Sequence, residues 1–329
     1  MILRKSYGLN NHNNKNILDY FSLILHSSCR GDWAKFKLTV NKDSLARLVY
    51  NGLLSRQRLR LMKIYHYTDL NGLKGIIENH SLWATNMYFL NDEEEIRHGI
   101  AAFNNALNYL GEDLSKQRVK ILRKVLEEHQ LFHAKHNYNI SFCQHPDLLS
   151  QWRGYAAAQG VCLEFDSEEL EKSLDFGGAR VISRGVFYTQ PDSTLEVKEE
   201  LLSFIKSENF IKNNDSLLYE FINTSELING LIPFFKHVSF SEESEYRIVV
   251  QPEIKTAPIK FRVNAHGLVP YVEIKARKYN LQSGQLPLKS LKIGPCKNRA
   301  FVAEGIEFLL KHNGYSNTLL SFTDAPFRV

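Results

Sequence analysis

A run of β-branched and aromatic residues, Ile64-Tyr65-His66-Tyr67-Thr68, stops at Asp69. After it Leu70, Leu73, Ile76 and Ile77 recur at helical spacing. The pattern predicts a strand feeding directly into a helix, with Asp69 capping the first turn. Such a junction holds an imidazole at the rim of a rigid scaffold, which makes His66 a candidate functional residue. The plainer reading is a half-buried strand histidine with one hydrogen bond, and only the stretches that follow decide between the two.

Those stretches alternate between strand and helix patterns. Residues 82–85 read as a second strand, and Asn91-Asp92-Glu93-Glu94-Glu95 as the capped, acidic start of a helix continued by Ile96, Ile100, Phe103, Leu107 and Leu110. An amphipathic helix over 114–130 leads to a strand at 139–143, a helix over 148–157 carrying Trp152 and Tyr155, and a buried strand at 161–165. A hairpin is expected around 181–188 and a long helical region over 195–221. Residues 238–244 then form a polar turn that feeds a strand reaching Val250. It brings Glu242, Glu243 and Glu245 together, which is costly unless they are solvated or paired. Strands at 259–263, 268–274, 291–293 and 318–321 and a helix over 299–311 complete the chain. The turn Gly294-Pro295 leads toward that last helix, where free N–H groups near Lys297 and Arg299 would attract an anion unless the turn is an ordinary connection. The mixture implies an α+β fold.

The 329 residues, 43% of them hydrophobic, suffice for a substantial core. Residues 1–61 read differently: polar and Asn-rich at the start, with a basic run at 55–60, they form a separable accessory segment, and Met62 could itself serve as a start. No window approaches the ~20 apolar residues of a membrane span, and the first residues do not resemble a signal peptide, so a cytoplasmic address is expected. Cys29, Cys143, Cys162 and Cys296 are far apart, with no CxxC pair to suggest a disulfide framework or zinc. The net charge of +5 is compatible with an anionic ligand without demanding one.

Taken together, Tyr65 to Thr68, Leu82 to Asp92, Ser141-Phe142 followed by Trp152-Arg153-Gly154-Tyr155, Gly160 to Phe165, Phe240 to Arg247, Ile293-Gly294-Pro295 and Pro326-Phe327-Arg328 resemble a large, mainly bacterial family known only as a domain of unknown function, DUF2971. That resemblance spans Met62 to the C-terminus and supplies no activity. A more remote one does. The order of a histidine on the first strand, a tyrosine on a helix between two strands and a glutamate heading a late strand is similar to ADP-ribosyltransferases of the His-Tyr-Glu type. It implies split antiparallel sheets around a cleft with helices outside, NAD as substrate, and His66, Tyr155 and Glu245 as catalytic residues. It further implies that Tyr67, Thr68, Trp152, Glu243 and Arg247 contact NAD; Glu243-Ser244-Glu245 resembles the Glu-x-Glu pair of arginine-modifying members. The spacing from His66 to Tyr155 is long for that type, and Trp152 or Tyr67 could take the aromatic role. Cleaving NAD develops positive charge on the ribose, which a carboxylate stabilises while an imidazole holds a ribose hydroxyl.

The implied setting is a bacterial defence or toxin–antitoxin system with a protein or nucleic-acid target. A non-enzymatic nucleotide- or protein-binding module of a phage-defence system is the principal alternative. An RNA-processing enzyme with His66, Arg247 and Arg328 around a phosphate is a third. A metal site of His66, Asp92 and Glu93 lacks any HExxH-like spacing, and capping explains its acids.

Overall fold

In a computed structural model, residues 62–325 are described except 91–92, 110–115, 129–136, 156–158, 190–229, 231, 253–257, 265–266 and 279–283. They belong to one compact unit, Leu61–Val329. The accessory segment 1–61 and the helical region expected over 195–221 lie outside the described residues, as do Asn91, Asp92 and Arg328.

The expected junction opens the fold. Strand β1 (Lys63–Asp69) runs into helix α1 (Leu70–Asn79), and the Asp69 carboxylate accepts from the Gly72 N–H at 2.7 Å. This N-cap satisfies one of the amides the first turn leaves unpaired. At the far end His80 turns left-handed, at φ 49°, and its N–H closes on the Ile76 carbonyl, ending the helix so that β2 (Ser81–Asn86) can begin. Then come α2 (Glu93–Tyr109), α3 (Lys116–Glu128), β3 (Tyr138–Cys143), α4 (Leu149–Tyr155), β4 (Gly160–Asp166), α5 (Ser167–Ser173) and β5 (Leu174–Asp175). The rest comprises β6 (Arg180–Gly185), β7 (Phe187–Thr189), β8 (Phe235–His237), β9 (Glu245–Gln251), β10 (Ile259–Asn264), β11 (Gly267–Ala276), β12 (Ser290–Ile293), α6 (Arg299–His312) and β13 (Leu319–Phe322).

The protein is α+β, built on one mostly antiparallel sheet of 11 strands. The sequence led us to expect two small sheets; the structure has one large sheet that forks, together with a two-stranded ribbon, β7 with β8. The fork is at β3, which pairs along its length with β9 on one side. On its other side β3 is shared: Cys143 pairs with Tyr65 of β1, whereas Asn139 and Tyr138 pair with Thr85 and Asn86 of β2. Strands β6, β9, β3, β1, β4 and β12 therefore lie side by side, with β2, β11 and β10 branching from the fork.

The hairpin expected around 181–188 does not form. Strand β6 pairs with β9, and after Val186 donates to the Glu245 carbonyl the chain leaves the large sheet so that β7 pairs with β8 instead.

Register sorts the side chains, because directly opposed residues share a face. One face is the apolar core, where Ile64, Ile140, Phe142, Leu163, Phe165, Ile248 and Ile274 pack with Leu73 and Ile77 of α1 and Ile306 and Leu310 of α6. The opposite face carries a smaller cluster of Tyr65, Tyr67, Cys143, Trp152 and Cys162. Beside that cluster stand the polar residues Asn139, Ser141, Glu245 and Arg247.

Candidate functional site

Among the described residues the charged groups gather where β9 crosses β3. Glu245 and Arg247 sit two apart on β9 and point the same way, opposite Cys143 and Ser141. Both are buried, at 6% and 1% exposure. Arg247 donates to Glu245 through two points, Nε to Oε1 at 2.8 Å and Nη2 to Oε2 at 2.7 Å, and its Nη1 donates to the Pro233 carbonyl at 2.6 Å. Lys236, also buried, reaches Glu243 at 2.8 Å and Glu245 at 3.4 Å, and lies 4.8 Å from the Phe240 ring centre. Of the three crowded glutamates, Glu243 and Glu245 are thus paired, while Glu242 is exposed. Burial alone would push the Glu245 carboxyl up, but the Arg247 guanidinium, Lys236 and a hydrogen bond from Ser141 outweigh it and hold the group well below the usual carboxylate range. The Glu245 N–H donates to the Tyr188 hydroxyl at 2.7 Å, which fixes the head of the strand.

His66 occupies the fork. Its Nδ1 lies 2.9 Å from the Ser141 carbonyl oxygen, which otherwise faces the gap where β1 and β2 part. A carbonyl only accepts, so Nδ1 carries the proton and Nε2 of the neutral ring is an acceptor. Burial lowers the imidazole pKa; the Ser141 bond opposes this and the charge of Arg262 adds to it, so the ring is neutral at pH 7. Ser141 therefore joins two expected site residues: its carbonyl takes His66 and its hydroxyl bonds Glu245. Asn139 completes the line, donating from Nδ2 to the Ser141 hydroxyl at 2.7 Å.

The other expected residues fall nearby without joining this line. Tyr67 meets Trp152 edge-on, with centroids 4.8 Å apart, and its hydroxyl donates to the His145 carbonyl while accepting from the Leu148 N–H. The two aromatics thus clamp α4 onto β1. Asp147 holds the same helix by accepting from Trp152 Nε1 at 2.7 Å, and it also accepts from Lys292, from the Thr323 hydroxyl and from the Asp324 N–H. Thr68 packs against Gly72 at the start of α1. Tyr155 ends α4 at 46% exposure, and that helix runs alongside both β1 and the 238–243 turn that bears Glu243. Strand alternation places Tyr67 and Trp152 on this side of the sheet and turns His66 out of it, toward Phe142, whose ring centre is 5.6 Å away. His66, Glu243, Glu245 and Arg247 are therefore linked through Ser141 and Lys236, whereas Tyr67, Trp152 and Tyr155 form a neighbouring aromatic group.

The anion site considered at Gly294-Pro295 is ruled out by packing. Both residues are buried, Gly294 donates to the Gly160 carbonyl at 2.9 Å, and a Cβ there would come within 2.9 Å of the Trp152 ring. Only glycine permits that close approach. Among the described residues no three His, Cys, Asp or Glu side chains are placed to hold a metal, and no helix is long and apolar enough to cross a membrane.

Sequence reasoning missed Lys236, Tyr188, Asn139, Asp147 and Arg262. Asn139 had a signal, since Asn139 and Ser141 alternate with Tyr138, Ile140 and Phe142 and so mark a polar face on an otherwise apolar strand.

The family model described as a protein of unknown function, DUF2971, matches residues 151–248. The matched segment contains Trp152, Tyr155, Glu243, Glu245 and Arg247 and excludes the strand of His66. No curated protein and no solved structure matches the chain.

Proposed function

We propose that this chain is an NAD-dependent ADP-ribosyltransferase or NAD glycohydrolase, with NAD as its substrate. The observation that supports this reading best is the bridge at Ser141, which ties a neutral histidine at a sheet fork to an ionised, buried glutamate on the second strand over. In the reaction the bond between ribose C1′ and the pyridinium nitrogen breaks, and nicotinamide leaves neutral with the bonding pair. Water or a target nucleophile closes on C1′ and gives up its proton. Glu245 stabilises the positive charge that develops on the ribose. His66, turned to the other face of the sheet, acts as a positioning residue that steadies the Ser141 main chain behind Glu245. Tyr155 offers its exposed ring to the nicotinamide from a helix that borders the Glu243 turn, and Glu243 orients the acceptor. Arg247 keeps Glu245 ionised and aimed, while Tyr67 and Trp152 hold α4 in place. The resemblances drawn from the sequence add the setting, a bacterial defence or toxin–antitoxin system with a protein or nucleic-acid target.

Incubation of the purified chain with NAD labelled in the adenylate half, followed by separation of nicotinamide and ADP-ribose products, tests the reading. Nicotinamide release is expected to fall about a hundredfold in His66→Ala and in Glu245→Gln compared at equal folded fraction.

One observation favours a second reading: both oxygens of Glu245 are already engaged by Arg247, with Lys236 on one of them. A carboxylate so committed suits a structural pair in a non-enzymatic binding module. Neither NAD binding nor NAD cleavage by the wild-type chain is the result that selects this module.

A further inference from the structure

The fork holds two polar atoms that the fold buries and leaves without partners: Oδ1 of Asn139, a residue 2% exposed, and Nε of Arg262. They flank the same residue. Thr85 pairs directly with Asn139 across β2 and β3, and its hydroxyl accepts from Arg262 Nη2 at 3.0 Å. The Asn139 amide has little freedom to turn, since its Nδ2 is spent on the Ser141 hydroxyl. Arg262 is likewise held, with its guanidinium 5.9 Å from the centre of the Trp83 ring, which in turn stacks on Tyr271 at 4.5 Å. One group lacks a donor and the other an acceptor, and each costs free energy while buried and unmet.

We propose that this part of the fork binds a ligand through an amide-type edge, in which an N–H donor stands beside an acceptor on one planar group. The N–H donates to Asn139 Oδ1, and the acceptor takes the Arg262 Nε–H. NAD carries two such edges, the nicotinamide carboxamide and the adenine edge formed by its exocyclic amine and a ring nitrogen. The proposal thus deepens the NAD reading and rests on it for the identity of the ligand, although the two buried atoms stand independently of any reaction. Aromatic and guanidinium surface beside the two atoms suits a flat ring, and the neutral His66 lies within the field of Arg262.

Matched probes test the proposal by titration calorimetry on the full chain. Nicotinamide is compared with nicotinate, which replaces the amide N–H by a second oxygen, and AMP with purine riboside 5′-monophosphate, which lacks the exocyclic amine. At least one amide-edged probe is expected to bind about tenfold or more tightly than its partner, because a partner without the N–H donor leaves Asn139 Oδ1 unsatisfied. The pair that discriminates identifies which half of NAD sits here. Arg262→Lys, on a branch of the sheet away from the main core, keeps the charge but removes Nε, and should erase about tenfold of that preference while the chain stays folded by circular dichroism. Equal binding within both pairs, tighter binding of nicotinate or of purine riboside 5′-monophosphate, or no binding of any probe overturns the proposal and assigns the two atoms to ordered water. Probe discrimination by a chain that leaves NAD uncleaved retains this site and defeats the enzymatic reading. NAD cleavage with an unchanged KM in Arg262→Lys does the reverse.

Discussion

Glu245 and Arg247, two residues apart on one strand, close a two-point ion pair in a place that water scarcely reaches. Residues i and i+2 of a strand face the same side, so a Glu-Tyr-Arg sequence has the geometry to form this pair without any turn. Removing one partner of a buried pair leaves the other charge uncompensated, at a cost of about 3–5 kcal/mol. Glu245→Gln should therefore lower the unfolding free energy by about 3 kcal/mol or more in urea titration. A loss of no more than about 1 kcal/mol would mean that the pair behaves as if solvated. Any activity of this variant has to be compared at equal folded fraction.

His66 makes the fold sensitive to mild acid. Its pKa is lowered in the folded chain, chiefly by burial and further by Arg262, so between that lowered value and the ordinary value of 6.5 the unfolded chain binds more protons than the folded one. The histidine's contribution is complete above pH 6.5 and is lost as the pH falls below it. The pKa of Glu245, also lowered, adds a second loss only below its ordinary value of 4.5. Stability measured from pH 7.5 down to 5 should fall, and His66→Gln should flatten that slope while leaving the decline below pH 4.5. An unchanged slope between pH 6.5 and 5 in the variant would assign the sensitivity elsewhere.

Local elements were legible because their signals are local. The break at Asp69 marked the strand-to-helix junction, and the β-branched runs at 161–165 and 246–250 marked buried strands. The partition of β3 among β1, β2 and β9 was not legible, because a strand's own pattern records which faces it buries and not how many neighbours it has. For the same reason the strand patterns alone do not distinguish one forked sheet from two. At β10 the pattern misleads outright. Phe261 and Val263 are exposed at 64% and 81% while Arg262 between them is half-buried, so reading the apolar residues as inward inverts the strand. Of the residues linked through Ser141 and Lys236, His66, Glu243, Glu245 and Arg247 are named by order along the chain. Lys236 could not, because a lysine between Phe235 and His237 carries no sign that it will be buried against two glutamates.

Asp147 sits at a junction of three segments: the loop before α4, the strand β12 through Lys292, and the tail after β13 through Thr323 and Asp324. Burial raises its carboxyl, but these four donors together bring it below the ordinary value. Asp147→Ala should cost about 1–3 kcal/mol, from the unmet Trp152 Nε1–H above all. Because Trp152 is fully buried, its fluorescence should shift red and its local hydrogen exchange quicken. A variant with native stability and an unshifted spectrum would show that Asp147 anchors nothing.

Ser141 separates a catalytic from a structural meaning of the fork. Ser141→Ala deletes the hydroxyl that accepts from Asn139 and donates to Glu245, but keeps the main-chain carbonyl that takes His66. Glu245 retains Arg247 and Lys236, so it stays ionised and the stability loss should stay near 1 kcal/mol, the worth of one ordinary hydrogen bond. In a purely structural network the consequences end there. Where Glu245 stabilises charge on the ribose, the lost hydroxyl releases one restraint on the carboxylate, and misplacement of such a group by about 1 Å costs on the order of a hundredfold. NAD cleavage by Ser141→Ala should therefore fall between tenfold and a hundredfold, about 1.4–2.7 kcal/mol in the barrier. That loss should appear in kcat, with KM little changed, because the substrate's binding groups are untouched. Cleavage at the wild-type rate, alongside the expected small loss of stability, would leave Ser141 a packing residue and detach His66 from Glu245 in the mechanism.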